Sequence, residues 1–282
     1  MKLLRYGRKG SEKPGILDAA GRVRDLSAEV PDLSGRWLTP EGLAEIAALD
    51  LGLLPEVAEP GRLGSCVAGV GKFICVGLNY ADHAAETGAP IPQEPILFMK
   101  ATSAITGPND PVIIPRGSTK TDWEVELGVV IGREARYVTQ ADAMNHVAGY
   151  CLVNDVSERA FQTERGGQWT KGKSADSFGP IGPWLVTRDE VADPQNLSMW
   201  LTVDGVQRQN GSTKTMIFPV DMLVSYISQF MSLQPGDVIS TGTPPGVGMG
   251  LKPEPQYLKP GQTIRLGIEG LGEQTQITEA AA

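Results

Sequence analysis

Basic clusters and long apolar runs are both missing from this sequence. The 282 residues contain 25 Lys and Arg against 33 Asp and Glu, which gives a formal net charge of −8. Nucleic acids and anionic membranes select basic patches, because such patches replace condensed counterions. No stretch is apolar enough to span a bilayer. The composition therefore argues against a nucleic-acid partner and a membrane partner.

Cysteine is scarce, and the spacing of the cysteines does not indicate a disulfide framework. Cys66, Cys75 and Cys151 are odd in number and lack paired spacing, which favours buried thiols in a reducing compartment over disulfides or a thiolate metal site. Charged residues also interrupt residues 1–10 before an apolar signal region forms. We therefore expect a cytoplasmic protein.

Glycine and proline, by contrast, are abundant. The chain has 34 Gly and 21 Pro, a composition typical of short strands joined by many tight turns. This predicts a mixed α/β, strand-dominated fold. Residues 1–65 form a small N-terminal α+β domain in this interpretation, and residues 70–282 form the main domain, after a Pro- and Gly-punctuated connection.

The N-terminal region has clear local signals. Short strands are predicted at 2–6, 15–18 and 23–26. Thr39 and Pro40 supply an N-cap and a first-turn proline for a helix that follows. No chemistry-bearing cluster occurs in this region, so the candidate functional residues lie in the main domain.

Two glutamates in the stretch 121–131 form the first candidate site. The stretch alternates like a strand, so Glu124 and Glu126 point the same way, roughly 7 Å apart at the backbone. Two such carboxylates can converge on one small cation. A solvated strand face carrying two hydrated acids is the alternative.

A third acid follows an apolar strand predicted over 149–154. Asp155 at its end offers an additional oxygen ligand. Three carboxylates without a His or Cys ligand select a hard ion, with Mg²⁺ first and Mn²⁺ or Ca²⁺ as substitutes.

Histidine occurs only twice, which limits the candidates for a base at neutral pH. His83 and Glu86 stand three residues apart in a predicted short helix, and a carboxylate beside an imidazole raises its basicity. This pair can take a proton from water, although an inert surface pair is the alternative. His146 has no such partner in sequence and is interpreted as structural.

Several further polar residues have positions suited to an anionic ligand. Lys100 follows an apolar strand and either meets an anion or extends to solvent. Arg159 and Gln162 offer a guanidinium and an amide to a carboxylate. Lys173 is embedded in small residues, and Thr243 lies in a Thr- and Gly-rich loop that presents donors.

Five motifs in order now resemble the fumarylacetoacetate hydrolase family over roughly residues 70–270. They are Gly77-Leu-Asn-Tyr-Ala-Asp-His-Ala-x-Glu86, Glu124-Val-Glu126-Leu-Gly, Asn154-Asp155-Val-Ser-x-Arg159, Gly172-Lys173-Ser-x-Asp-Ser-Phe-Gly-Pro180 and Thr241-Gly-Thr-Pro-Pro-Gly-Val-Gly248. The N-terminal region looks most like bacterial hydrolases of 2,4-diketo-3-deoxy-L-fuconate and L-rhamnonate. Pro245 departs from the Lys or Ala frequent in relatives.

The resemblance implies a β roll, usually a homodimer, and a role for each matching residue. Glu124, Glu126 and Asp155 match metal ligands, His83 and Glu86 a water-activating pair, and Lys173 a substrate-binding lysine beside the metal. Arg159, Gln162 and Thr243 match positions lining a 2-oxo-acid site. The segment after Glu86 matches a lid that orders on binding, although an ordinary loop is the alternative.

The predicted function is metal-dependent hydrolysis of a carbon–carbon bond in a 2,4-dioxo acid. The substrate implied is 2,4-diketo-3-deoxy-L-rhamnonate or -fuconate, with pyruvate and lactate as products. Oxaloacetate decarboxylation, enol–keto isomerisation and a ureidoglycolate lyase reaction remain alternatives that use the same metal-enolate site. A non-catalytic ion-binding module is the alternative outside enzymes.

Overall fold

A computed structural model of the protein describes residues 1–88 and 90–282. Its strands are β1 Lys2–Tyr6, β2 Lys13–Leu17, β3 Val23–Asp25, β4 Glu56–Val57, β5 Phe73–Gly77, β6 Ile96–Lys100, β7 Ile105–Thr106, β8 Val112–Ile114, β9 Thr121–Asp122, β10 Val125–Ile131, β11 Val147–Asn154, β12 Ser157–Glu158, β13 Gly179–Thr187, β14 Ser198–Val203, β15 Val206–Ser212, β16 Val238–Ser240, β17 Thr263–Ile268 and β18 Gly272–Ala280.

Short helices connect these strands. The α-helices are α1 Pro40–Ala47, α2 Ala81–Thr87, α3 Gln140–Ala143, α4 Arg159–Thr163, α5 Thr170–Lys173 and α6 Val220–Ser228. Single 3₁₀ turns cover Gly35–Leu38, Thr102–Ala104, Met144–His146, Arg188–Glu190, Thr213–Thr215 and Gly248–Gly250. The predicted strand-dominated, mixed α/β fold is therefore confirmed.

Two sheets enclose the main core. The larger has the order β4-β3-β2-β1-β13-β11-β10-β16-β5-β6, with β7 beside β13, and the smaller has the order β15-β14-β17-β18-β8. Buried apolar side chains of both sheets, such as Leu127 and Leu201, belong to one cluster between them. A second cluster joins the N-terminal strands to the opposite face of the large sheet and contains Cys66, Cys75 and Cys151. All three thiols are free and buried, as expected.

The N-terminal signals are confirmed at the level of local structure. Strand β1 matches its prediction, and the Thr39 hydroxyl accepts a hydrogen bond from the Gly42 N–H at the start of α1. Strand β1 also pairs antiparallel with β13, so the large sheet runs through both parts of the chain. The domain boundary at residues 65–70 stays a prediction.

Two short helices have distinctive ends. Tyr80 occupies the N-cap of α2 and makes no side-chain cap hydrogen bond. The side-chain amide of Asn79 hydrogen-bonds to the backbone of Phe218 and Thr241. It therefore links two segments that are distant in sequence and is not available as a helix cap. Helix α3 begins behind the Thr139 cap and tightens into a 3₁₀ turn at Met144.

Within residues 1–88 and 90–282, no helix combines the length and apolarity that a bilayer crossing requires.

Candidate metal centre and active site

The register of two central strands brings the three predicted acids together. Val125 of β10 lies opposite Asn154 of β11, so Asp155 follows the strand end beside Glu124. The Asp155 N–H donates to the Glu124 carbonyl over 2.9 Å. One carboxylate oxygen each from Glu124, Glu126 and Asp155 lies within 4.8 Å of the others, and all three residues are buried.

Two buried cations neutralise part of this cluster. Lys173 Nζ lies 2.7 Å from Glu124 Oε2 and 2.8 Å from Asp155 Oδ2. Arg159 Nη2 lies 2.7 Å from the other oxygen of Glu124. Burial by itself raises the pKa of Glu124, but the charges of Arg159 and Lys173 outweigh burial and hold that pKa well below its usual range. Glu124 is therefore ionised at neutral pH.

Glu126 experiences the opposite balance. Its Oε2 accepts hydrogen bonds from Ser240 Oγ at 2.6 Å and from the Gly242 N–H at 2.9 Å. Burial, together with the charges of Asp155 and Glu124, raises the pKa of Glu126 well above its ordinary value. This balance favours the protonated form of Glu126 unless a further positive charge lies beside it, and a cation among the three carboxylates would supply that charge. Three crowded carboxylates without His or Cys among them fit a hard divalent cation.

Lys100 supports the cluster from behind. Its fully buried Nζ lies 2.6 Å from Asp155 Oδ1 and donates to the carbonyls of Val156 at 2.9 Å and Lys173 at 2.7 Å. Burial lowers the pKa of Lys100. Lys100 does not line the cavity that the acids face. The ammonium thus fixes Asp155 and its loop, and the predicted contact with substrate stays a prediction.

Arg159 is itself held by an acid to which the sequence analysis gave no role. Arg159 Nε donates to Asp122 Oδ2 at 2.9 Å, and Arg159 Nη1 donates to Gln162 Oε1 at 3.2 Å. Asp122 also accepts the N–H groups of Gly248 at 2.6 Å and Met249 at 3.0 Å. The alternation that paired Glu124 with Glu126 extends back to Asp122, and this was the available signal.

The candidate base and its partner approach from a different element. His83 Nδ1 lies 3.1 Å from Glu86 Oε2 on helix α2. The Gly246 N–H donates to both oxygens of Glu86, at 3.0 and 3.2 Å. His83 is buried and lines the same cavity as the acids. The pair is therefore oriented by a loop that is distant in sequence. His146 is half-buried and does not line this cavity.

All these groups surround one cavity of about 190 Å³. Its polar lining residues are His83, Glu124, Glu126, Asp155, Arg159, Gln162, Thr163, Lys173 and Thr243, and its other lining residues are Val76, Gly77, Leu78, Phe98, Trp169, Gly242 and Met249. The Thr243 hydroxyl donates to the Val125 carbonyl at 2.9 Å and accepts from Gln209 Nε2 at 2.8 Å. Gln209 lies on β15, and no sequence motif marked it.

The segment predicted as a lid is described only in part. Ala89 lies outside the described residues, and residues 90–95 have no regular secondary structure. Tyr226 Oη donates to Glu94 Oε2 at 2.8 Å, which ties this segment to helix α6. Closure over the cavity stays a prediction.

The fold and this acid-lined cavity define a class of proteins. The model for the fumarylacetoacetate (FAA) hydrolase C-terminal region matches residues 72–277, and the chain belongs to the fumarylacetoacetate hydrolase family. A relative from Burkholderia multivorans, whose provisional name is hydrolase, is 67% identical over 281 residues and covers 100% of both chains.

Two solved structures are similar over their whole length. Maleylpyruvate hydrolase from Sphingobium sp. SYK-6, in complex with manganese(II) and pyruvate, has a TM-score of 0.82 and 28% identity, with 100% of each chain covered. The 2-hydroxyhepta-2,4-diene-1,7-dioate isomerase from Mycobacterium marinum has a TM-score of 0.75 and 31% identity, with 100% of this chain and 99% of that chain covered.

Proposed function

We propose that this protein is an enzyme that hydrolyses a carbon–carbon bond in a 2,4-dioxo acid. One observation carries the proposal: the acids Glu124, Glu126 and Asp155 and the pair His83–Glu86 line a single cavity or stand directly behind its wall. The three carboxylates would hold a divalent cation, Mg²⁺ first and Mn²⁺ or Ca²⁺ as substitutes. The manganese(II) and pyruvate in the maleylpyruvate hydrolase complex support a divalent cation and a 2-oxo acid as the ligands of this site.

The chain's own residues supply the remaining chemistry. A divalent cation held by the three carboxylates would supply positive charge that polarises a 2-oxo acid. His83, with Glu86 on its other side, accepts a proton from water, whose oxygen bonds to C4 of the substrate. The C3–C4 bond breaks, its electron pair stays on C3, and the proton from His83 passes to C3. Lys173 keeps positive charge beside the acids, and Arg159 and Gln162 orient the substrate.

The finer substrate assignment follows the family likeness of the N-terminal region. We propose 2,4-diketo-3-deoxy-L-rhamnonate or -fuconate, which would give pyruvate and lactate. Lys100 would contribute by positioning Asp155, and Thr243 by shaping the cavity wall. A cytoplasmic homodimer completes the proposal.

Enol–keto isomerisation is the second candidate. The structural similarity to the dioate isomerase favours it, because stabilising an enolate serves isomerisation as well as bond cleavage. Isomerisation needs no attack by water, so the His83–Glu86 pair is the feature that inclines the proposal toward hydrolysis.

A substrate panel with pyruvate detection separates these reactions. The Mg²⁺-loaded protein is incubated with an acylpyruvate, oxaloacetate, ureidoglycolate and 2-hydroxyhepta-2,4-diene-1,7-dioate. Hydrolysis predicts equal amounts of pyruvate and carboxylic acid from the acylpyruvate, and no product after chelation of the metal. Pyruvate from oxaloacetate alone, or an absorbance change in the dioate without any pyruvate, would contradict the hydrolase proposal.

A further inference from the structure

Both cations that line the cavity are already paired with acids of the protein. Arg159 contacts Asp122 and Glu124, and Lys173 contacts Glu124 and Asp155. Among the described residues, the cavity lining contains no further lysine or arginine. A second carboxylate on a ligand would therefore enter this site without a cation available to pair with it, and an unpaired charge in a buried site is costly.

The charge balance of the lining leads to the same conclusion. Three carboxylates and two cations line the cavity. Directly behind this lining, Lys100 adds one positive charge beside Asp155, whereas Asp122 beside Arg159 and Glu86 beside His83 add two negative charges. These five acids exceed the three cations by two charges, which a bound divalent cation would balance. Each carboxylate of a ligand would then add uncompensated negative charge, so the cavity suits a monoanion better than a dianion.

Four apolar side chains also line the cavity, and one of them, Phe98, lies against the charged groups, with Lys173 Nζ 4.9 Å from its ring centroid. We define the apolar wall as Leu78, Phe98, Trp169 and Met249. The rings of Phe98 and Trp169 lie 5.3 Å apart between centroids, tilted by 59°. Trp169 packs so closely on Gly77 that a Cβ there would stand 2.5 Å from its Cζ3. The aromatic part of the wall is therefore fixed by its surroundings.

Leu78 has an unfavourable backbone conformation for its side chain. Its φ is 52°, in the left-handed region that glycine and asparagine adopt more readily than leucine. A bulky residue that retains such a conformation beside a cavity indicates a function for the side chain. The isobutyl group adds apolar surface at the end of β5, five residues before His83.

We propose that this cavity selects 2-oxo acids with one carboxylate and a short, uncharged tail, and discriminates against dicarboxylates. The apolar wall receives the tail. The inference rests on the proposed function in that the 2-oxo-acid end lies at the three acids. A volume of about 190 Å³ is below the roughly 300–1,000 Å³ of pockets for drug-sized ligands, which limits the tail's length. The structurally similar isomerase is named for a dicarboxylate, a 1,7-dioate. The ligand preference inferred for this protein would therefore differ from the one that this name implies.

A pair of ligands with equal chain length tests the selection without any turnover. Binding of 2-oxopentanoate and 2-oxoglutarate to the Mg²⁺-loaded protein is measured by calorimetry; the two compounds differ only in a terminal methyl group against a terminal carboxylate. We expect 2-oxopentanoate to bind at least about tenfold more tightly, because the second carboxylate stays unpaired. Equal or tighter binding of 2-oxoglutarate would overturn the inference.

A charge placed in the apolar wall provides the second test. Met249→Lys introduces an ammonium at a residue that is 39% exposed, and we expect it to shift the preference toward 2-oxoglutarate by about tenfold. Ile277→Lys adds the same charge at a site on β18 away from the cavity, 53% exposed, and should leave the preference unchanged. An equal shift in both variants would assign the effect to net charge and contradict a role for the wall.

The outcomes separate this inference from the proposed function. Preferred binding of 2-oxopentanoate, without pyruvate release from any acylpyruvate, would support the selection and refute hydrolysis. Rates of pyruvate release can also be compared between acylpyruvates of matched length that end in a carboxylate and in a methyl group. Equal rates would refute the selection against dicarboxylates and support hydrolysis.

Discussion

The acid cluster and the His83–Glu86 pair face one cavity but are built in different ways. The acids lie in or directly beside the strand pair β10–β11, where a ladder of seven paired positions, Val125 to Ile131, fixes their relative positions. The base belongs to helix α2, which has seven residues and contacts distant loops: the Gly246 N–H donates to Glu86, and the Thr215 hydroxyl donates to Asp82. One half of the site is thus set by sheet register, and the other by loop contacts.

From this difference we expect metal binding and water activation to be separable in this protein. His83 and Glu86 belong to helix α2, whereas the three acids lie in or next to strands β10 and β11. A change in the pair should leave the metal site intact. A change in an acid, in contrast, should disable both functions, because the reaction needs the cation's charge.

The largest effect is expected from Glu126→Gln. The amide preserves the shape of the side chain and can still accept from Ser240 and Gly242, but it removes a charge that the cation needs. We expect pyruvate release from an acylpyruvate to fall by about 1,000-fold or more, without recovery in excess Mg²⁺. Near-normal turnover in this variant would show that the reaction does not need the charge of Glu126 and would contradict the role of the acid cluster.

His83→Ala should have the next largest effect and tests the other half. Loss of a general base typically costs about 100-fold or more in turnover. The Mg²⁺ affinity should remain close to that of the parent protein, because His83 lies on a separate element. A parallel loss of metal affinity, measured by calorimetry, would show that the two halves depend on each other.

Asp122→Asn tests whether residues outside the acid cluster keep its carboxylates in position. Asp122 fixes Arg159, which contacts Glu124. Removing a group that orients a metal ligand typically costs about 10- to 100-fold in metal affinity or activity. We expect weaker Mg²⁺ binding within that range, with the fold retained by circular dichroism. An unchanged affinity would limit Asp122 to a structural role.

Asp18→Asn, in the N-terminal region, should have the smallest effect on function. Hydrogen bonds from the Arg22 N–H, the Arg24 side chain and the Ala20 N–H lower the pKa of Asp18 to about 2. A lowered pKa in the folded state stabilises the protein above the unfolded pKa, and this contribution is lost as the pH falls. Chemical denaturation at pH 7 should show lower stability in the variant, a difference that disappears towards pH about 2. Turnover at pH 7 should be unchanged.

The sequence predicted the parts of this molecule that depend on local periodicity. Strand β1, the Thr39 cap and the convergence of Glu124, Glu126 and Asp155 all follow from alternation, turn chemistry or an apolar strand that ends in an acid. The resemblance of five motifs then indicated the family, which the match over residues 72–277 shows.

The features that sequence reasoning missed depend on contacts between distant segments. Gln209 reaches Thr243 from another sheet, Gly246 holds Glu86 across 160 positions, and Lys100 is directed at Asp155 rather than into the cavity. None of these contacts has a periodic or local signature, because each depends on how the two sheets and their loops pack. The site residues and the neighbouring acid Glu86 were visible in sequence, whereas the roles of Gln209, Gly246 and Lys100 in orienting them were not.

The central claim is that three buried carboxylates hold one divalent cation, and a calorimetric titration of Mg²⁺ tests it most directly. We predict one ion per chain for the parent protein and for His83→Ala, and no measurable binding for Glu126→Gln. Binding of equal strength and stoichiometry in Glu126→Gln and the parent protein would contradict the claim.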